Sequence, residues 1–475
     1  MIKIGASVIK ELKKIFNQCV FHPTDAVEDA WGKRIIDKMA EDGAIDTIRV
    51  YAMLEDIVYK DEDGNLAYDF RVSDARLDYL DSLGFDLVIA YAGIPDSITS
   101  ATGGRTTACK NKTRYKGKLW NSNPPDDYAA WEEICYEYTK HITERYGEEK
   151  VNTWKIHCFN EPDVDGFFMR EADNREKYVE RCEEYLKLYE HFVRGVRRAN
   201  KKIMLGGPAH ACVPEFLDHF LMKVRERGLE MNYLAIHTYG TDPFSLNSGE
   251  ETLSVKLLMK KLYERITIIE KRGFSHLPIV IDEWGASTHG FFNSEECKLL
   301  MFRETEVNSA YFVRFIKELA DTDLPIENLM ICLSGQHEMT EDFTGFRNFF
   351  TLNFIKKPIY NAFILASKLH TGVLECESGD DSLTVLPTRA TSGEMAILLS
   401  YAAEDFSDSL PKITESVEFS ESIVGRRVTV WRIDKETANP YRLWQRMGEP
   451  EIKDEIITAL REEGKAKPKR SCISC

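Results

Sequence analysis

Between residues 17 and 345, short apolar runs alternate with longer stretches whose apolar residues recur every three or four positions. The short runs are NQCV from Asn17, DTIRVY from Asp46, FDLVIAY from Phe85, TWKIHCF from Thr153 and KIMLGG from Lys202. NYLAIHTY from Asn232, LPIVIDEW from Leu277 and NLMICLSG from Asn328 bring the set to eight. Between them, segments such as Pro125 to Tyr146, Arg175 to Ala199 and Asn293 to Ala320 carry the helical period. Several strand candidates are apolar on both faces, as expected where one face fills a barrel and the other lies under helices. Eight such units predict a (β/α)8 TIM barrel over residues 17–345, in preference to a doubly wound sheet.

After residue 346 the helical period fades. Leu383 to Leu386, Glu394 to Tyr401, Ser416 to Phe419 and Arg427 to Ile433 read as antiparallel strands, so 346–450 is expected to form a small β-sandwich domain. Lys453 to Glu463 reads as a last helix, and the tail beyond Gly464 as mobile, within a terminal segment 451–475. A loop of about thirty residues, Ala92 to Pro124, leaves the third strand at the end where barrel active sites sit and is read as a wall or lid.

Bulk composition narrows the function classes. A net charge of −16 with no basic stripe beyond KAKPKR argues against nucleic acid and anionic membrane surfaces as partners. No run is long and apolar enough to span a bilayer, and Lys10, Lys13 and Lys14 stand where a secretory leader would be apolar, so a cytoplasmic location is expected. The eleven cysteines have no regular spacing and read as reduced thiols; the terminal CISC, with Cys472, matches short lipidation and redox patterns too easily to mean either. The oligomeric state stays open, homo-oligomers included.

The chemistry is sought at the C-terminal ends of barrel strands. Glu161 closes the fourth strand in HCFNEPD, and Glu283 closes the seventh in IVIDEWG. Each follows an apolar strand, where an unpartnered acid is costly. Two at corresponding ends, one after Asn160 and the other before Trp284, fit glycoside hydrolysis, which needs one carboxyl to protonate the leaving oxygen and one to meet the anomeric carbon. His237 and Tyr239, in IHTYG, share a side because strand side chains alternate. Arg49, in TIRVY, needs a carboxylate partner, for which Glu283 is a candidate. His237, Asp282, Glu283 and His289 are the residue types of a metal cluster, but no compact spacing such as HExxH is present, and neither metal nor cofactor is expected.

At these residues the chain resembles glycoside hydrolase family 39, the β-xylosidase and α-L-iduronidase family. The likeness is carried in order by RYGEEKVNTWKIHCFNEPDVDGFF, LGGPAH, LAIHTYG, LPIVIDEWGAS, GFRNFFTLNFIKKPIYNAF and NPYRLWQRMGEPE. It implies Glu161 as acid/base, Glu283 as nucleophile, Asn160 at the sugar 2-hydroxyl, and His237 with Tyr239 around the nucleophile. It also implies that residues 1–16 join the C-terminal β domain. Counting back from an acidic pair that looks like Glu341 and Asp342 puts Ser334 where xylosidases of the family have a strand-eight Trp. Their Arg-x-His reads Arg49-Val50-Tyr51 here, and their glycine-containing first turn is replaced by FHPTDA with His22. Trp284, Glu341 and Asp342 complete the expected sugar-binding set.

The expected function is a retaining exo-β-glycosidase acting on oligosaccharides, with β-xylosidase as the best single assignment. The alternatives are a related enzyme for a glucoside, galactoside, arabinoside or uronide, and a carbohydrate-binding homologue without catalysis. Arg49 or His22 at the pocket would favour an acidic substituent.

Overall fold

The computed structural model describes residues 1–475 except 23–26, 28, 102–104, 107–119, 122, 165–166, 169–176, 243–251, 289–291, 336–338, 340, 408–409 and 473–475. All eight strand candidates form one closed, parallel barrel. In chain order its strands are Gln18–His22, Thr47–Tyr51, Asp86–Tyr91, Lys155–Cys158, Met204–His210, Tyr233–Thr241, Ile279–Ser287 and Ile326–Ser334. The eighth closes on the first, with Met330 opposite Gln18 and Ser334 opposite His22.

Two-residue alternation sorts the strand side chains. On the second strand Ile48 and Val50 enter the large core shared with the helices, while Tyr51 joins the small interior cluster with Val20, Val88, Ala90 and Met330. Arg49 shares the parity of Tyr51 and so faces inward. The floor of the interior is filled by the Tyr233 ring. Gly206 makes room for it: a Cβ there would meet that ring at 2.6 Å.

Helices cover the outside. Tyr128–Tyr146 starts under Asp127, whose carboxylate accepts from the Ala129 and Ala130 amides, and Val255–Lys271 starts under Ser254, which accepts from Leu257. Ala30–Asp42 stops at Gly43, whose φ of 59° is the left-handed conformation that glycine adopts most readily. Among the described residues, no helix is long and apolar enough to cross a membrane.

The C-terminal region differs from the sequence reading in two places. A helix, Pro358–Ser367, stands in the stretch where the helical period was read as fading. It is buried nearly all round, and Phe363 stacks on Phe312 at 4.2 Å, so it has no polar face to mark a period. The tail was expected to be mobile, yet Lys469–Cys472 pairs antiparallel with Arg427–Val430. Ser471 faces Val428 across the ladder, so backbone hydrogen bonds hold a segment whose composition gives no strand signal.

Five further strands make a sheet in the order Met395–Tyr401, Leu383–Arg389, Gly372–Ser378, Ile2–Glu11, Val417–Phe419. The N-terminal strand pairs antiparallel with Gly372–Ser378 and parallel with Val417–Phe419. Ile2 and Ile4 pack with Leu374, Leu383 and Val385 in a core separate from the barrel. Arg314, on the helix Glu306–Ala320, ties the sheet to the barrel by donating to the carbonyls of Ala402 (2.7 Å) and Ala403 (3.0 Å).

Candidate active site

The seventh strand carries an irregularity that the period-two pattern does not show. Against the sixth strand, Ile236 faces Ile281 but His237 faces Glu283; against the eighth, Ile281 faces Leu329 and Trp284 faces Ile331. One extra residue is thus inserted at Asp282–Glu283, a bulge of the kind that re-aims side chains beside active sites. Its effect is that two consecutive carboxylates reach the same interior cluster. Trp284 then faces outward.

Arg49 is the hub of this cluster and is fully buried. Its Nε lies 3.1 Å from Asp282 Oδ2 and 3.1 Å from His157 Nε2. Its Nη1 donates to Glu283 Oε1 (2.8 Å) and Tyr51 Oη (3.1 Å), and its Nη2 donates to Asn160 Oδ1 (2.5 Å). Burial works against the guanidinium charge, but Tyr51, Asp282 and Glu283 outweigh it and raise Arg49 above its ordinary value. Glu283 accepts two further bonds, from Tyr51 Oη (3.2 Å) to Oε1 and from Tyr239 Oη (2.7 Å) to Oε2.

His237 links the two acids. Its Nδ1 lies 2.7 Å from Glu161 Oε1 and 3.6 Å from Glu283 Oε2, and its Nε2 lies 3.5 Å from Asp282 Oδ2. Burial alone would lower its pKa; the charges of Glu283, Asp282 and Glu161 prevail and raise it to about 10. Burial lowers the neighbouring His157 to about 3, with Arg49 adding to the effect, so that imidazole is neutral and accepts from the guanidinium. Burial also works against the charge of Asp282, but Arg49 and His237 hold it below the usual carboxylate range. Glu161 goes the other way: burial raises it, His237 pulls it down less strongly, and the Glu283 charge adds to the rise. Around Arg49 and His237 the acids are thus pushed apart, Asp282 downward and Glu161 upward. One oxygen of Glu161, one of Glu283 and a ring nitrogen of His237 all lie within 4.8 Å of one another.

The turn that presents Glu161 is strained and pinned. Phe159 (φ 62°) and Glu161 (φ 48°) both sit in the left-handed region without being glycine, at a cost of about 1–3 kcal/mol each. The Glu161 amide donates to the Ala209 carbonyl (3.1 Å). Two residues on, fully buried Asp163 accepts from the amides of Ala211 (2.8 Å), Cys212 (2.7 Å) and Val213 (2.9 Å). Burial opposes its charge, yet His210 and those amides hold Asp163 below the usual carboxylate range. Asp163 thereby ties the turn after the fourth strand to the end of the fifth.

Of the residues read from the sequence, Glu161, Glu283, Asn160, His237, Tyr239, Arg49 and Tyr51 come together. Three do not. Trp284, expected at the sugar, is 1% exposed and packs between Phe312 and Phe315 in the layer under the helices, because the bulge ends with it facing out. Glu341 is exposed, and Asp342 binds the amide and side chain of Asn353, so neither reaches the acid pair. The side chains of His22 and His289 and most of the candidate lid lie outside the described residues; of the lid, Arg105–Thr106 pairs with Trp120–Asn121.

Sequence reasoning missed Asp282 and His157 as partners of Arg49, Asp163 as the anchor of the turn, and Arg347. Arg347 Nη1 lies 3.3 Å from Tyr239 Oη and its Nε 3.3 Å from Ser334 Oγ, so a guanidinium stands beside the position expected to lack an indole. The available signal was a polar residue at inward parity within an apolar strand, which picks out His157 as it does Arg49; Asp282 beside an inward Glu283 requires the bulge. Arg347 comes from a turn and gives no such signal.

Comparison with known proteins decides the family. The family described as Glycosyl hydrolases family 39 matches residues 2–473. The chain belongs to that family. This family 39 glycoside hydrolase is similar to a β-xylosidase of Caldicellulosiruptor saccharolyticus, 27% identical over 454 residues covering 93% of this chain and 86% of the relative. It is also similar to an α-L-iduronidase of Drosophila melanogaster, 23% identical with 86% of this chain and 64% of that protein covered. The crystal structure of a monomeric β-xylosidase from Caulobacter crescentus CB15 shares its fold, at a TM-score of 0.80 and 20% identity, with 100% of this chain and 95% of that one covered.

Asp163 gives a test of the pinned turn in this family 39 enzyme. Asp163→Ala leaves three amides without their acceptor in a buried site and is expected to cost about 3–5 kcal/mol. Chemical denaturation measures the loss, and kcat should fall further than KM rises because Glu161 is displaced rather than the sugar pocket. An Asp163→Ala protein with parental stability and kcat would show that the turn holds itself.

Proposed function

We propose that the chain is a retaining exo-acting β-glycosidase, with Glu283 as nucleophile and Glu161 as general acid and base. The observation that carries this reading is the spacing of the acid pair: oxygens within 4.8 Å leave no room for a water between carboxyl and sugar, as inversion would need. In the first step a Glu283 oxygen bonds to the anomeric carbon, the bond to the leaving oxygen breaks, and the Glu161 proton goes to that oxygen. In the second, Glu161 takes a proton from water, the water oxygen bonds to the anomeric carbon, and Glu283 departs as carboxylate. Once Glu283 is esterified its charge no longer raises Glu161, and the charged His237 at 2.7 Å favours the basic form.

The glycone best supported is β-xylose, from the name of the Caldicellulosiruptor relative. A second reading, a uronide, is favoured by Arg347 beside Tyr239, since a guanidinium at the glycone suits a carboxylate. It agrees in kind with the iduronidase likeness. A panel of aryl xylosides, glucosides, galactosides, arabinosides and uronides separates them. Fastest turnover of the xyloside supports the first reading and of the uronide the second; retained sugar binding without turnover of any member would mean a binding protein.

Glu283→Ala is expected to lose turnover, and added azide to restore part of it with inverted product, read by NMR of the glycosyl azide. Glu161→Ala should slow substrates with poor leaving groups by about 10²–10⁴-fold and spare activated ones. Because the raised pKa of Glu161 keeps its proton to higher pH, kcat/KM falls as pH rises through that value. Glu161→Gln should lose this alkaline limb, and a limb unchanged in the variant would assign the proton to another group.

A further inference from the structure

Behind the wall that carries Glu283 lies a cavity of about 30 Å³, lined by residues of the seventh and eighth strands, the turn at 347–349 and Asn308 in the first turn of the helix Glu306–Ala320. That volume holds one or two water-sized occupants. No carboxylate lines it; Arg303, Arg347 and Trp284 do.

Arg303 is 5% exposed. Its Nη1 donates to the carbonyls of Phe292 (3.3 Å) and Gly345 (3.1 Å), and among the described residues its Nε and Nη2 meet no acceptor and no carboxylate pairs with it. Glu304, its neighbour in the chain, is engaged with Lys357 (2.6 Å) and the Gly345 amide (2.8 Å). The indole N–H of Trp284, 1% exposed, likewise has no acceptor among the described residues. A buried donor such as the Trp284 N–H costs about 1–3 kcal/mol unless something accepts from it, and the Arg303 guanidinium beside it has donors to spare. Burial and the nearby Arg347 charge pull the Arg303 guanidinium down to about 9, outweighing Tyr239 and Glu304, which act in its favour. The amino end of the helix Glu306–Ala320 adds positive potential on the same side.

We propose that this cavity binds one small monovalent anion of halide size, held by Arg303 and the Trp284 indole beside Arg347. The outward turn of Trp284, which removes its ring from the sugar, places its N–H in this second site. The anion would act on the acid pair through Arg347, whose Nη1 meets the Tyr239 hydroxyl that donates to Glu283.

The test reads binding and is independent of whether the chain turns over glycosides. Crystals of the full chain soaked in bromide are expected to show an anomalous peak between Arg303 and Trp284. In solution, chloride against gluconate at equal ionic strength should raise the melting midpoint by about 1–2 °C at ten times the dissociation constant. Arg303→Gln should lose both signals, and Trp284→Phe, which keeps the ring and removes the N–H, should weaken binding about 10-fold. No bromide peak and no chloride shift in the parent protein would mean that the cavity holds water alone and would overturn the proposal. A midpoint shift kept in full by Arg303→Gln would place the anion elsewhere and overturn it equally.

Discussion

Everything at the mouth of this barrel is organised around one buried guanidinium. Arg49 has no solvent to share its charge, so the fold supplies Asp282, Glu283, Asn160, Tyr51 and neutral His157 instead. These partners come from the second, fourth and seventh strands, and their arrival at one point fixes the relative height of those strands. Losing the cation would leave Asp282 and Glu283 buried together with His237 as their nearest remaining cation, a penalty of about 3–5 kcal/mol. The same bonds orient Glu283 before any sugar arrives, which is the preorganisation that catalysis in a dry site depends on.

The second consequence is that the acids of the cluster are pushed in opposite directions. Arg49 and His237 hold Asp282 down, the acids around His237 raise it, and burial with the Glu283 charge raises Glu161. In the proposed mechanism the nucleophile is Glu283, which Arg49, Tyr51 and Tyr239 hold, and the acid is Glu161, which lies beyond the reach of the guanidinium. The left-handed backbone at Phe159 and Glu161 belongs to the same arrangement, since Asp163 and the Ala209 carbonyl hold a turn that the chain would otherwise relax.

The barrel was legible because eight apolar runs and intervening helical periods are a long-range signal, and Glu161 and Glu283 were legible because each closes such a run. Asp282 was hidden by the rule that exposed the others: alternation forbids two adjacent residues from facing one way, and only a bulge, which leaves no mark in this sequence, permits it. Trp284 was misplaced by the same hidden residue. Pro358–Ser367 escaped because a helix buried all round has no polar stripe, and Lys469–Cys472 because edge pairing draws on backbone groups that every sequence possesses. Arg347 and Asp163 act through turns, where spacing along the chain says nothing about neighbours in space.

The placement of Ile2–Glu11 between Gly372–Ser378 and Val417–Phe419 bears on how the molecule is made. On a ribosome the first strand emerges long before either neighbour, and at ordinary elongation rates it waits roughly 20–70 s for the first of them. Throughout that interval Ile2 and Ile4 are uncovered and both backbone edges are open, while the whole barrel is synthesised downstream. The sheet that holds this strand is therefore completed only after the barrel has been made, and a chaperone that shields Ile2–Glu11 would act throughout that interval.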